Sequence, residues 1–138
     1  MRRYLVVANQ TLGGPHLLNQ VRQRVAAGPS AFHVVVPATA PAEQAVWTEG
    51  EALALAEQRL DAAVRRFRKL GADVHGEVGD PSPMEAIGDA MAAQEFDEII
   101  LSTLPPGISR WLRQDLPSRV EKAFDLPVTH VVGEPEAG

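Results

Sequence analysis

No cysteine occurs among the 138 residues of the sequence. The chain therefore cannot form a disulfide, a thiolate zinc site or an iron–sulfur cluster, and it has no cysteine nucleophile. This absence is typical of the reducing cytosol, so we expect a cytoplasmic protein. Long apolar runs are also missing, because the run after the basic start Met1-Arg2-Arg3 ends at Ala8, which is too short for a signal peptide. No other stretch approaches the ~18 apolar residues of a membrane helix, and we expect no membrane partner.

Positive charge is in short supply. There are 13 Lys and Arg residues against 18 Asp and Glu residues, which gives a formal net charge of -5. An acidic chain has little attraction for nucleic-acid phosphates, so we do not expect a nucleic-acid partner. The four histidines are far apart in the sequence and have none of the short spacings of metal ligands, and we therefore expect no metal site.

Catalytic motifs are missing as well. Gly13-Gly14-Pro15 lacks both the lysine and the spacing of a phosphate-binding P-loop, so it predicts a turn and the start of a helix. There is no Gly-x-Ser-x-Gly elbow for a nucleophilic serine. The sequence names no catalytic residue, and we do not expect an enzyme, although a weak ATPase activity stays open.

What the sequence does contain predicts one α/β domain. The chain length and its 45% hydrophobic content are those of a single globular domain, which we place at residues 1–133, followed by a polar tail at residues 134–138. Apolar runs predict five strands, at Tyr4–Ala8, Ala31–Val36, Asp73–Val78, Glu98–Ser102 and Pro127–Val132. Helical patterns lie between them, starting at Pro15, Glu49, Pro83 (capped by Ser82), Ser109 and Asp115.

The helix predicted at Glu49–Leu70 is amphipathic, and Gly71 is the expected residue just past its end. Its apolar face is predicted to consist of Leu53, Ala56, Leu60, Ala63, Val64 and Phe67. Its basic residues, predicted to lie mostly outside, are Arg59, Arg65, Arg66, Arg68 and Lys69. The preceding segment, Pro37 to Ala42, contains two prolines, so we expect a loop that neither pairs regularly nor continues a helix.

Alternation of strands and helices predicts a parallel sheet with helices on both faces, in three layers. The third strand alternates polar and apolar residues, which favours the edge of the sheet. In such a sheet the ligand crevice lies beyond the carboxyl ends of the strands, where the strand order reverses. With the order 3-2-1-4-5, this point falls between the first and fourth strands.

Three segments of the sequence resemble the universal stress protein family. Gly79-Asp80-Pro81 resembles the turn into the family's third helix, although an aspartate here also favours a plain turn. The stretch from Asp97 to Leu112 resembles the fourth strand with its loop and short helix, and the stretch from Ser118 to Val132 resembles the last helix and strand. The resemblance implies the adenine nucleotide alpha hydrolase-like fold, with the strand order 3-2-1-4-5.

The ATP-binding branch of that family has a Gly-x-x-Gly pair after the fourth strand, then Gly-Ser or Gly-Thr. Here Ser102 takes the place of the first glycine, Leu104-Pro105-Pro106-Gly107 forms the loop, and Gln114-Asp115 replaces Gly-Ser. Asn9 corresponds to the family's aspartate near the adenosine. Prolines remove N–H donors, and a carboxylate near phosphates is repulsive, so we predict impaired ATP binding of the family type.

The resemblance and the crevice rule together imply a set of ligand-binding candidates. Asn9 and Thr11 would lie near a sugar, and Val36 and Pro37 near a base. Around phosphates and a metal ion we expect Ser102, Gly107, Ser109 and Asp115. Further candidates on the same loops are Gly79, Asp80, Thr103 and Gln114. No cofactor is certain, and ATP or AMP with Mg²⁺ stays open.

Three functions follow as hypotheses. The leading one is a non-enzymatic, universal stress protein-like module that binds or senses a small ligand. The alternative is a genuine ATP or AMP binder that uses Mg²⁺, and the third is a nucleotide hydrolase or transferase. We also expect a homodimer through the last strand, Val128 to Val132, because an uncovered strand edge exposes unpaired backbone groups.

Overall fold

The structure, a computed structural model, describes residues 1–39 and 48–133. Its strands are β1 (Arg2–Val7), β2 (Ser30–Pro37), β3 (Asp73–Gly79), β4 (Glu98–Thr103) and β5 (Val128–Val132). Its helices are α1 (Pro15–Ala27), α2 (Glu49–Lys69), α3 (Pro83–Ala93), α4 (Arg110–Arg113) and α5 (Leu116–Ala123). The predicted tail at residues 134–138 and residues 40–42 of the predicted loop lie outside the described residues.

The five strands form one sheet in the order β3-β2-β1-β4-β5, and every neighbouring pair is parallel. β1 lies at the centre, where Val6 is level with Val34 of β2 and with Ile100 of β4. The predicted α/β class, the strand order and the edge position of β3 are confirmed. The division into a domain at residues 1–133 and a tail stays a prediction.

Hydrophobic clusters cover both faces of the sheet. On one face, Val6, Val34 and Ile100 pack with residues of α1 and α2, including Leu17 and Phe67. On the other face, Leu5, Val7, Val35, Ile99 and Leu101 pack with residues of α3, α4 and α5, including Ile87, Trp111 and Val120. Because successive side chains of a strand point to opposite faces, a strand covered on both sides needs an unbroken apolar run.

The structure corrects the prediction for Pro37, which was assigned to a loop that does not pair. Pro37 is the last residue of β2 and lies level with Gly79 of β3. A proline is tolerated at a strand end because the missing N–H donor interrupts no further pairing there. The chain leaves the strand at the next residue, where the Ala38 N–H donates to the carbonyl of Gly79 at 3.1 Å.

Helix α2 has the predicted bounds to within one residue, but its faces are rotated slightly from the prediction. Leu53 is 44% exposed, so its predicted place on the apolar face is wrong. The buried positions are Ala52, Ala56, Ala63 and Phe67. Arg59 was expected mostly outside, yet it is partly buried and reaches the end of β1. The buried positions from Ala52 to Phe67 form the stripe of α2 that faces the sheet. Leu53 lies off this stripe and Arg59 lies beside it, which explains both corrections.

Two helix starts differ in how they are capped. Ser82 occupies the predicted cap position of α3, but among the described residues its hydroxyl makes no cap hydrogen bond. Instead, the Ser82 N–H donates to Oδ1 of Asp80 at 2.8 Å, which forms the turn that the aspartate predicted. Thr48, which the sequence analysis did not single out, caps α2 by accepting from the Glu51 N–H at 3.0 Å.

At the amino end of the sheet, a polar network joins α1, β4 and β5. Arg24 of α1 pairs with the carboxylate of Glu98, and Thr129 of β5 donates to the same carboxylate. The guanidinium also lies 5.4 Å from the ring centre of Tyr4. This network fixes β5, which is an edge strand with one strand neighbour in the described sheet, to the rest of the domain.

Within the described residues, none of the helices is long and apolar enough to cross a membrane. The same residues contain no group of three or more acidic or histidine side chains arranged to hold a metal ion.

Gly76 of β3 provides a test of how tightly α2 packs on the sheet. A Cβ atom at this position would lie 2.5 Å from Cδ1 of Leu60 and 2.9 Å from the carbonyl oxygen of Val34. We expect Gly76→Ala to lower the free energy of unfolding by about 1–3 kcal/mol, because the strand or the helix has to shift.

Urea unfolding checks this prediction, and Gly88→Ala is the matched control. Gly88 lies inside α3 with nothing within 4 Å of an added Cβ, so alanine should stabilise the helix there. Equal midpoints for the Gly76→Ala variant and the wild type would contradict the packing described.

Candidate functional site

A crevice opens at the carboxyl ends of β1 and β4. It encloses about 50 Å³, and about 440 Å³ when the open mouth is counted. The lining residues are Asn9, Gln10, Thr11, Thr39, Ser102, Thr103, Leu104, Ile108, Ser109, Arg110 and Trp111. This is the place that the strand order predicts, because the connections from β1 and β4 leave in opposite directions there.

Two buried hydroxyl groups bridge the floor of the crevice. Oγ1 of Thr11 lies 2.6 Å from Oγ of Ser102, and the two residues are 2% and 1% exposed. Gly133, the residue after β5, packs beside them, because a Cβ there would lie 3.2 Å from Cβ of Thr11. One hydroxyl donates to the other, so the pair keeps one further proton that can reach a ligand.

Thr103 connects the crevice to the edge strand β5. Its hydroxyl donates to the carbonyl of Leu104 at 3.0 Å and lies 2.8 Å from Nε2 of His130. Nε2 of His130 donates to this hydroxyl when it carries the ring proton, and it competes with the Leu104 carbonyl for the hydroxyl proton when it does not. Burial of part of the ring lowers the pKa of His130 below its ordinary value of 6.5.

The amide of Asn9 ties the end of β1 to β2 and α2. Its Nδ2 donates to the carbonyl of Pro37 at 2.8 Å and to that of Thr39 at 3.4 Å. Its Oδ1 accepts from Nη1 of Arg59 at 2.6 Å. An aspartate could not donate to these carbonyls, so the asparagine is what this geometry requires.

The loop after β4 uses two of its backbone donors internally. The N–H groups of Ile108 and Ser109 both donate to the carbonyl of Pro105, at 3.3 and 3.1 Å. Nη2 of Arg113 donates to the carbonyl of Gly107, which has φ +96°. The hydroxyl of Ser109 caps α4 as predicted, by accepting from the Leu112 N–H at 3.2 Å. In a glycine-rich loop, backbone N–H groups would bind a phosphate at this place. Here side chains line the crevice instead.

The rim of the crevice carries one cation and two apolar side chains. Arg110 lines it from the first position of α4. Trp111 also lines it while packing in the core cluster on the α3, α4 and α5 face. Ile108 is 52% exposed. An apolar wall beside a cation suits a ligand with both a ring and a negative charge.

Five of the twelve predicted site residues meet in the crevice, namely Asn9, Thr11, Ser102, Thr103 and Ser109. The other seven lie outside its lining, as far as the structure describes the chain. Val36 is fully buried in the core, and Pro37 takes part through its carbonyl. Gly79 and Asp80 end β3 and form the next turn, Gly107 is exposed in the loop, and Gln114 and Asp115 are exposed between α4 and α5.

Asp115 adopts an unusual backbone conformation, with φ 56° and ψ 41° at the start of α5. Left-handed geometry favours glycine, and an aspartate there carries a moderate conformational cost. In the resemblance described above, this is the place of the family's Gly-Ser or Gly-Thr. In that resemblance Gln114, which has φ -90°, takes the place of the glycine, and Asp115 takes that of the serine or threonine.

Sequence reasoning passed over several residues of the crevice. Most of them lie on the predicted loops without having been singled out: Gln10, Thr39, Leu104, Ile108, Arg110 and Trp111. Arg59 is outside the lining but bonds with Asn9, and it was missed because it was assigned to the solvent face of α2. Its position in the sequence indicated that it lies on the buried side of the helix, because it comes three residues after Ala56 and four before Ala63, both of which are buried.

Comparisons with known proteins support the fold. No family model and no curated protein matches the sequence. A solved universal stress protein in complex with cAMP is 14% identical, with a TM-score of 0.66, and the match covers 96% of this chain and 98% of that one. A universal stress protein from Archaeoglobus fulgidus is 18% identical, with a TM-score of 0.62, covering 95% and 93%. The chain thus has the universal stress protein fold, and the predicted resemblance is confirmed at this level.

The role of Asn9 can be tested by replacing it with the family's aspartate. We expect Asn9→Asp to lower the free energy of unfolding by about 1–3 kcal/mol, because a carboxylate oxygen would face the carbonyl of Pro37. The new ion pair with Arg59 should offset only part of this loss. Urea unfolding measures it, with Asn19→Asp on the exposed side of α1 as the control, and a more stable Asn9→Asp variant would refute the assignment.

The pKa of His130 predicts a pH dependence of stability. Because the folded pKa lies below the ordinary value of 6.5, the unfolded chain binds more protons in this range. The contribution of His130 is therefore present above pH 6.5 and is lost as the pH falls below it. Urea unfolding between pH 5 and 8 should show a weaker pH dependence for His130→Gln than for the wild type. A contribution of His130 that grows toward acid pH would be the opposite of this expectation.

Proposed function

We propose that the chain is a universal stress protein-like module that binds a small ligand reversibly, without turnover, in the crevice between β1 and β4. One observation carries this proposal: buried hydroxyls, a cation and an aromatic ring converge at the point of the sheet where strand order reverses. Such convergence of polar groups in a partly apolar cleft is characteristic of ligand sites. We further infer a cytosolic location, from the cysteine-free composition.

The ligand class that we propose is a mononucleotide with a single phosphate. Support comes from the related structure that holds cAMP, and from Trp111 and Arg110 on the same wall. The hydroxyls of Thr11 and Ser102 can reach a sugar or phosphate oxygen.

A triphosphate fits less well than a monophosphate. Pro105 and Pro106 offer no N–H donor, and the N–H groups of Ile108 and Ser109 are already bonded to the carbonyl of Pro105, which leaves Gly107 as the next donor of this loop. A ligand with three phosphates would therefore find few backbone donors in this loop. Mg²⁺ with ATP is the alternative, and Asp115 would be its nearest candidate ligand on the resemblance described above.

The proposal of binding without turnover rests on the lining. Among the described residues, none of the side chains that line the crevice is an aspartate, a glutamate or a histidine. General acid or base catalysis most often uses such a group, and the described lining contains no lysine, tyrosine or cysteine that could take its place. We expect AMP and ATP to remain intact when they are incubated with the purified protein and analysed by liquid chromatography.

We also propose a homodimer through the free edge of β5. Val132 on this strand is 42% exposed, and β5 has one strand neighbour, β4, in the described sheet. Pairing with a second copy would satisfy the outward backbone groups of the strand. Light scattering at micromolar concentration tests this, and a monomeric mass would exclude it.

Arg110 provides the test of the ligand class. We expect AMP to bind the wild type and Arg110→Gln to weaken it about tenfold, because a charge-assisted hydrogen bond to the phosphate is lost. Adenosine, which has no phosphate, should bind both proteins equally. Isothermal titration calorimetry measures these affinities, with ATP titrated in parallel with and without Mg²⁺.

The matched control is Arg119→Gln, which removes an exposed arginine of α5 that lies outside the crevice lining. Its AMP affinity should equal that of the wild type. No heat and no thermal shift at millimolar AMP would reject the proposed ligand class, since a ligand at 100 times its Kd stabilises by about 2.7 kcal/mol. Tighter binding of Mg²⁺–ATP than of AMP would favour the alternative.

A further inference from the structure

Arg59 lies on α2, outside the loops that form the crevice, yet its Nη1 donates to a crevice residue, Asn9, at 2.6 Å. Asn9 is 7% exposed and lines the crevice from the end of β1. We propose that Arg59 is a positioning residue, which fixes the amide of Asn9 so that the crevice recognises a hydrogen-bond donor on the ligand. This inference rests on the proposed function and names how that site selects its ligand.

The orientation of the amide follows from the chemistry of its partners. A guanidinium group only donates hydrogen bonds, so the Asn9 atom beside Arg59 has to be the oxygen. Backbone carbonyls only accept, so the atom beside Pro37 and Thr39 has to be the nitrogen. The three partners agree, and turning the amide over would break every one of these bonds.

The same bonds decide what Asn9 can offer to a ligand. Both protons of Nδ2 are directed at carbonyls, at 2.8 and 3.4 Å, which leaves none for the crevice. Oδ1 has two lone pairs and uses one for Arg59, so it can accept one more hydrogen bond. At the β1 side, Asn9 therefore presents an acceptor, which matches an amino or hydroxyl group of the ligand.

Arg59 contributes the charge-assisted bond among the three, and such bonds are the stronger kind. It is also the contact that connects Asn9 to α2. Thr39, which accepts from Asn9, is held in turn by its own hydroxyl bond to the carbonyl of Pro81 at 2.6 Å. Without Arg59, the amide would be held from one side only and could swing away from the ligand.

Three nucleotides test this proposal by calorimetry. AMP is compared with purine riboside monophosphate, which lacks the amino group, and with 2′,3′-dideoxy-AMP, which lacks both ribose hydroxyls. In the wild type we expect one of the two analogues to bind about tenfold more weakly than AMP, because a ligand donor to Oδ1 is missing. Arg59→Met should reduce this discrimination to less than threefold, and Arg59→Lys, which still donates, should retain most of it.

The control is Arg66→Met, an exposed arginine on the same helix, which should behave as the wild type. Equal weakening of all three nucleotides by Arg59→Met would show a purely structural role and would overturn the proposal, as would unchanged discrimination. In both cases AMP binding by the wild type leaves the proposed function standing. If the wild type binds none of the three, the proposed function fails and the positioning role fails with it.

A measurement on the wild type covers the case in which Arg59→Met does not fold. The sequence contains two asparagines, Asn9 and Asn19, so ¹⁵N-asparagine labelling gives two side-chain amide signals. We expect the amide protons of Asn9 to exchange with water at least tenfold more slowly than those of Asn19, which is exposed on α1. Equal exchange rates would overturn the proposal without any variant.

Discussion

The central place of β1 is the constraint on which the rest of the structure depends. With β2 on one side and β4 on the other, β1 is buried on both faces from Tyr4 to Val7. The chain leaves β1 toward α1 on one face of the sheet and leaves β4 toward α4 on the other face. The two connections therefore diverge at the carboxyl end of β1. Among the residues just after this end, Asn9 and Thr11 are polar groups that the fold therefore buries almost completely, at 7% and 2% exposed.

A polar group in such a place has to be satisfied, and the crevice satisfies most of its groups internally. Thr11 bonds with Ser102, Thr103 with His130, and Asn9 with α2 and β2. Leaving any of these groups without a partner would cost about 1–3 kcal/mol. The network thus keeps the crevice stable when it is empty, while the second lone pairs and one hydroxyl proton stay available to a ligand.

The sequence predicted those features that local pattern determines. Unbroken apolar runs predicted buried strands, alternation in β3 predicted an edge, and the order of elements predicted the crevice between β1 and β4. Local pattern could not predict contacts between residues that are far apart in the sequence. Thr11 and Ser102 are 91 residues apart, and Arg59 and Asn9 are 50 residues apart. Charge alone suggested that Arg59 faces water, whereas its long side chain reaches inward from the edge of a buried stripe.

The loop Leu104 to Ser109 has a consequence for how this fold can change its ligand. A glycine-rich loop recognises phosphate through main-chain amides, which a substitution elsewhere in the site leaves untouched. Here two prolines lack an N–H and the main-chain amides of Ile108 and Ser109 are bonded to Pro105, so recognition falls largely to side chains. Single codon changes replace individual side chains. The ligand specificity of such a crevice can therefore change between chemically different small molecules while the sheet beneath it keeps its structure.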